Sequence, residues 1–84
     1  MINDNFECFI CGKGGVLHKH HCLHGIRRKA ADRYDLTVWL CPDCHMKLHD
    51  KGVGDLYLER LAQRTFEAKH GHKKYMEIFG KNYL

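Results

Sequence analysis

Two thiol pairs stand out first, Cys8-x-x-Cys11 and Cys41-x-x-Cys44. A Cys-x-x-Cys turn brings two sulfurs to one side of a tight reversal. Two such turns from separate chain segments supply the four soft donors that a tetrahedral zinc ion prefers. Disulfide redox chemistry needs only one such turn, so the pairing points to a metal. Gly12 follows the second sulfur and lets the chain turn back behind it. Cys22 is the odd thiol of five, which argues against a closed disulfide framework, and it reads as a buried, inert side chain.

Histidine is the second outlier, with eight residues in 84. His45 and His49 lie at i and i+4 on a helix expected to start at Pro42, so both rings leave one face. His18, His20, His21 and His24 cluster on and just after a short strand. Strand neighbours point to opposite faces, so His18 and His20 should share a face that His21 does not. Both members of His20-His21 reach one site only if the strand bends. Either cluster alone could be incidental. Together they explain each other: three neutral imidazoles could hold a second divalent ion with positions open for water and substrate, leaving the fourth free for proton transfer near neutral pH.

Charge sharpens this. The net charge is +4. Residues 18–33 alone carry Lys19, Arg27, Arg28, Lys29 and Arg33 against Asp32, while the segments on either side nearly balance. This local excess attracts polyanions, nucleic acid above all, although a solvated basic loop would look the same in sequence.

The elements that must position these groups follow from pattern. Residues 6–14 read as a zinc knuckle and 16–23 as a strand. Residues 24–35 read as a polar, basic loop with a helical turn at 27–34. Residues 36–40 are β-rich, and Pro42 opens a helix that runs to about Asp50 and stops at Gly52. Over 55–70, Leu58, Leu61, Ala62, Thr65 and Phe66 form one apolar stripe. Gly71 ends that helix, and a last helix at 72–79 offers Tyr75, Ile78 and Phe79 inward before Gly80. At this length the chain is one small domain whose core needs a staple. No stretch has the roughly 18 apolar residues of a membrane span. The opening Met1-Ile2-Asn3-Asp4-Asn5 lacks the basic start and apolar run of a signal peptide. The expectation is a soluble protein in a reducing compartment.

The combined pattern, Cys8-x-x-Cys11, His20-His21, Cys41-x-x-Cys44-His45-x3-His49, resembles the HNH endonucleases of the ββα-metal (His-Me finger) class. The run Leu36-Thr37-Val38-Trp39-Leu40-Cys41-Pro42 and the ending Ile78-Phe79-Gly80-Lys81-Asn82-Tyr83-Leu84 resemble small phage-type HNH proteins. The resemblance implies an α+β fold: a zinc-stabilised ββα-metal domain with two additional C-terminal helices. It implies a single HNH nuclease-like domain over 1–84, with zinc knuckles and ββα core at 8–52 and C-terminal helices at 53–84. The implied activity is metal-dependent hydrolysis of DNA phosphodiester bonds, leaving 5′-phosphate and 3′-hydroxyl ends.

Carried over, His20 is a metal ligand and His21 the general base. His45 and His49 complete the site of a catalytic cation (Mg²⁺, Mn²⁺, Ni²⁺ or Zn²⁺). Cys8, Cys11, Cys41 and Cys44 hold a structural Zn²⁺, and Arg27, Arg28, Lys29 and Arg33 hold the DNA backbone. The expected setting is the cytoplasm of a bacterial host, with DNA as partner and phage packaging or recombination proteins as further candidates. One departure stands out. The family's middle Asn has no counterpart, since Asn occurs only at 3, 5 and 82, and Asp35 or a backbone carbonyl would have to replace it. A non-catalytic zinc module that binds DNA or protein, with a decayed HNH site, is the alternative. A zinc deaminase is set aside, because it needs His-x-Glu and a Pro before the Cys pair. Here Pro42 lies inside the pair and no His-x-Glu occurs.

Overall fold

A computed structural model describes residues 1–52 and 54–84. The domain boundary expected at residue 53 falls on the one position outside that description. The order of elements is β1 (His18–His21), a 3-10 turn (Gly25–Arg27), α1 (Arg28–Arg33), β2 (Thr37–Leu40), α2 (Pro42–Lys51), α3 (Asp55–His70) and α4 (His72–Phe79). This is a small α+β fold. The strands are shorter than their β-rich runs, and the basic segment read mainly as loop is largely helical.

β1 and β2 form an antiparallel pair in which His18 faces Leu40, His20 faces Val38 and His21 faces Thr37. The other edge of β2 is covered by the N-terminal segment. Ile2 N donates to the Thr37 carbonyl, Phe9 N donates to the Trp39 carbonyl, and Trp39 N donates to Asn3 Oδ1. An edge strand this short would otherwise leave its backbone groups open to another chain. Asn3 is therefore part of the sheet's closure and takes no place near the histidines.

Helix α2 begins where its sequence says it should. Cys41 is the N-cap, its sulfur accepting from the Cys44 N–H, and Pro42 occupies the first turn. It ends at Gly52, whose left-handed backbone (φ 64°) lets its N–H reach the Leu48 carbonyl. α3 and α4 match their expected bounds, because apolar periodicity and the flanking glycines agree. Leu58, Ala62 and Phe66 of α3 are buried against Tyr75 and Phe79 of α4, with Leu61, Thr65 and Ile78 at the margin. Phe66 is the hub: its ring stands edge-on to Tyr34, Tyr75 and Phe79, with centroids 4.9, 5.9 and 5.3 Å away.

A buried Gln63 was not part of the expected stripe. Its carboxamide is satisfied by Glu67, by Asn82 Oδ1 and by the Tyr83 N–H, which it accepts at 2.7 Å. The C-terminal tail is thereby tied to α3, and Asn82 is used up in that tie. Arg27 reaches the same region from the basic segment, its Nε donating to the Phe79 carbonyl at 2.9 Å.

Truncating the aromatic hub tests this packing. Phe66→Ala is expected to cost about 3–5 kcal/mol, read as a large drop in thermal midpoint by circular dichroism. A midpoint within a degree or two of wild type would show that α3 and α4 do not share this core.

Candidate metal centre

The first knuckle is built by backbone hydrogen bonds. Gly12 N donates to the Cys8 carbonyl and Cys8 N to the Lys13 carbonyl, with Gly12 at φ 78°. The second knuckle is the first turn of α2. Together they bring Cys8, Cys11, Cys41 and Cys44 into one group whose sulfurs all lie within 4.8 Å of one another. Cys11 Sγ and Cys41 Sγ are 3.7 Å apart. Two thiolates bound at ~2.3 Å to a tetrahedral zinc would be separated by roughly 3.8 Å. The donor set and its spacing fit a structural metal such as zinc.

The group is also poised to lose protons unequally. Burial pushes the Cys8 thiol up, but hydrogen bonds from the backbone of Cys11, Cys41 and Ile10 outweigh it and bring the pKa down to about 6. Burial and then the neighbouring Cys41, Cys8 and Cys11 push Cys44 up to about 12. A cation among the four sulfurs removes this mutual repulsion. Cys22 stands apart. It is fully buried in the apolar core, outside the four-sulfur group, and burial raises its thiol to about 12.

The histidines assemble through strand alternation. β1 does not bulge, so His18 and His20 face α2 while Lys19 and His21 face α1. His20, His45 and His49 each offer a ring nitrogen within 4.8 Å of the other two. The Nε2 atoms of His45 and His49 are 3.0 Å apart. Two nitrogens bound at ~2.1 Å and at right angles on one metal ion would be separated by about 3 Å. His20 is 3% exposed, and its Nε2 has no hydrogen-bond partner. An unpaired buried nitrogen costs free energy, and a bound cation removes that cost. Burial first, then the nearby His24 and His45, lower the His20 pKa to about 4, so the ring is neutral and its lone pair free. Burial, followed by His49 and His18, lowers His45 as well.

His18 has a role the sequence left open. Its Nδ1 lies 3.0 Å from His45 Nδ1. If His45 Nε2 were to bind a cation, the His45 Nδ1–H would donate to His18, and that bond would fix the ring's tautomer and orientation.

His21 sits on the other face, as alternation requires. Its Nε2 is 3.3 Å from Asp32 Oδ1, and Lys19 Nζ is 3.1 Å from the same oxygen. The hydrogen bonds from Lys19 and then His21 hold the Asp32 carboxyl below the usual carboxylate range. The carboxylate beside His21 is thus Asp32 and not the expected Asp35. Asp35 lies in a left-handed turn (φ 58°), with an exposed side chain near the N-terminal amine. The opposite facings of His20 and His21 do not separate them completely. One open cavity of about 260 Å³ is lined by Lys19, His20, His21, His24, Arg28, His45 and His49. A second hollow joins His21 and Asp32 to Arg28 and Lys29. Arg33 is exposed on α1. Arg27 is half-buried and committed to the Phe79 carbonyl.

Asp32 carried no spacing signal of its own, and the alternation that puts His18 on the face of His20 does not name His45 as its partner. The one depends on α1 folding back over β1, the other on α2 lying across it. Comparison of the chain with protein-family models, with curated proteins and with solved structures gives no match. Among the described residues, no helix is long and apolar enough to cross a membrane.

Cys41 belongs to the four-sulfur group and caps α2 at once, so Cys41→Ser should abolish cooperative unfolding, since structural zinc contributes on the order of 10 kcal/mol or more to folding. Cys22→Ser should leave metal content unchanged. Metal analysis and thermal melts of the two variants decide this, and a folded, metal-free Cys41→Ser protein would overturn the assignment.

Proposed function

We propose that this protein is a metal-dependent endonuclease that hydrolyses DNA phosphodiester bonds, in the manner of the HNH enzymes its motifs resemble. One observation carries the reading: three convergent imidazoles and His21, whose ring is paired with Asp32 in the adjoining hollow, border one cavity that Lys19 and Arg28 also line. A structural site closes its ligand sphere, whereas three ligands beside an open cavity leave room for water and substrate. His20, His45 and His49 would hold the divalent cation. When bound, it supplies Lewis acidity at a phosphate oxygen and offsets charge on the leaving 3′ oxygen.

The remaining steps belong to the chain itself. His21 takes a proton from the water that attacks phosphorus. Asp32 accepts a hydrogen bond from the His21 ring, fixes which nitrogen carries the proton and stabilises the imidazolium that forms. Lys19 neutralises part of the Asp32 charge near an anionic substrate. Arg28 and Lys29 grip phosphates on either side, contacts that position the duplex without reading sequence. Arg27 joins the basic loop to α4, and Arg33 extends the positive face along α1. In this reading the four-cysteine group holds zinc and takes no part in the chemistry.

Supercoiled plasmid incubated with the protein and Mn²⁺, Ni²⁺ or Mg²⁺ tests the proposal. Cleavage is expected to stop with EDTA. His21→Ala should lose about 10²–10⁴-fold in rate while keeping its affinity for the ion and for DNA. His20→Ala and His49→Ala should instead lose ion affinity, and added metal should restore part of their activity. Binding without cleavage by folded, metal-loaded wild type would select the non-catalytic module.

The basic face makes a separate prediction. Arg28→Ala/Lys29→Ala should weaken DNA binding and reduce its salt slope by about two, because each phosphate contact releases roughly one counterion. An unchanged slope in fluorescence anisotropy titrations would place DNA elsewhere.

A further inference from the structure

His24 and Asp55 take no part in the proposed chemistry, yet they meet at the rim of the same cavity. His24 ends the stretch after β1 with extended backbone, and Asp55 is the first residue of α3. Their side chains approach to 2.8 Å between Nε2 and Oδ1. His20 lies beside them, its ring centroid 5.3 Å from that of His24. One ligand atom from each of His20, His24 and Asp55 falls within 4.8 Å of the other two. A hollow lined by His24, Leu48, His49, Gly52 and Asp55 opens next to this group.

We infer that His20, His24 and Asp55 form a second seat for a first-row transition-metal dication, overlapping the three-imidazole site at His20. Two observations carry this beyond an ordinary ion pair at a helix start. The His20 ring is almost wholly buried, and its Nε2 has no hydrogen-bond partner. The donor set is two imidazoles and one carboxylate, brought together from two chain segments, the end of β1 with the residues just after it and the start of α3. That combination suits Zn²⁺, Ni²⁺, Co²⁺ or Fe²⁺ rather than Mg²⁺, which prefers oxygen donors and keeps its waters. A cation entering the seat takes the place of the hydrogen bond between His24 and Asp55. Because His20 belongs to both sets, removing the α2 histidines frees its ring entirely for this seat.

The test is calorimetric titration of Ni²⁺ into zinc-replete protein carrying His45→Ala and His49→Ala. One Ni²⁺ per chain is expected, at sites separate from the retained zinc. Adding Asp55→Asn or His24→Gln to that protein should weaken binding at least tenfold, and adding His20→Ala should abolish it. Circular dichroism checks each variant, and the His24→Gln arm serves if Asp55→Asn fails to fold. No Ni²⁺ uptake by the folded double variant, or uptake unchanged by both Asp55→Asn and His24→Gln, would overturn the inference. The outcome is independent of plasmid cleavage: a protein inactive on DNA that still takes up Ni²⁺ this way keeps the seat and loses only the nuclease reading.

Discussion

The geometry of this protein depends on four sulfurs meeting in one place. They join a knuckle near the N-terminus to the first turn of α2, two segments that the small apolar core could not hold together alone. The consequence runs straight into the histidine site. Cys44 and His45 are consecutive on α2, so their side chains leave the helix about 100° apart. Anchoring Cys44 against Cys8 and Cys11 therefore sets the rotation of α2, and with it the direction of His45 and His49 one turn later. Leu48, buried between them in sequence, locks the same rotation from the core side. A metal in the four-cysteine group would thus act on the second site by orientation, without touching it.

Strand alternation does the complementary work. β1 sends His20 inward, where burial keeps the ring neutral, and sends His21 outward to Asp32 and Lys19. A ligand must keep its lone pair, whereas a proton acceptor must be able to hold a charge. In the proposed reaction two adjacent histidines would meet these opposite demands because the pleat gives them different surroundings. Asp32 lies beside His21, whereas burial and the neighbouring His24 and His45 make the place of His20 hostile to an imidazolium. No bulge is needed for both to border one cavity, since the cavity wraps the end of a very short strand.

Much of this was legible in sequence wherever one local rule was strong enough. Pro42 and Gly52 bracket α2, and the stripe from Leu58 to Phe66 with Gly71 and Gly80 gives α3 and α4 their ends. Two Cys-x-x-Cys turns announced a shared metal-binding group. Groups whose partners come from tertiary folding left no such trace. Asp32 meets His21 only because residues 25–33 coil into a turn and a helix that lies back along β1, and a polar, glycine-containing segment reads more readily as loop. Asp35 was the nearer carboxylate to β2 in sequence, but its left-handed turn sends it away towards the N-terminal amine. Gln63 sits among apolar positions because the C-terminal tail returns to satisfy it. Arg27 looked like one more basic residue until α4 supplied a carbonyl for it.

Those same tertiary links change the standing of the two C-terminal helices. Arg27 ties the basic segment to the end of α4, and His24 ties the start of that segment to the first residue of α3. Tyr34, just past α1, packs edge-on against Phe66 and Phe79. The segment carrying the charge excess is thus held at both ends and at its middle by α3 and α4. A free basic loop would lose conformational entropy on gripping a phosphate backbone, whereas this one is already ordered by the core beneath it. The aromatic cluster around Phe66 and the basic face above it are in this sense one device: the apolar side supplies the rigidity, and the polar side presents Arg28, Lys29 and Asp32 next to the imidazoles.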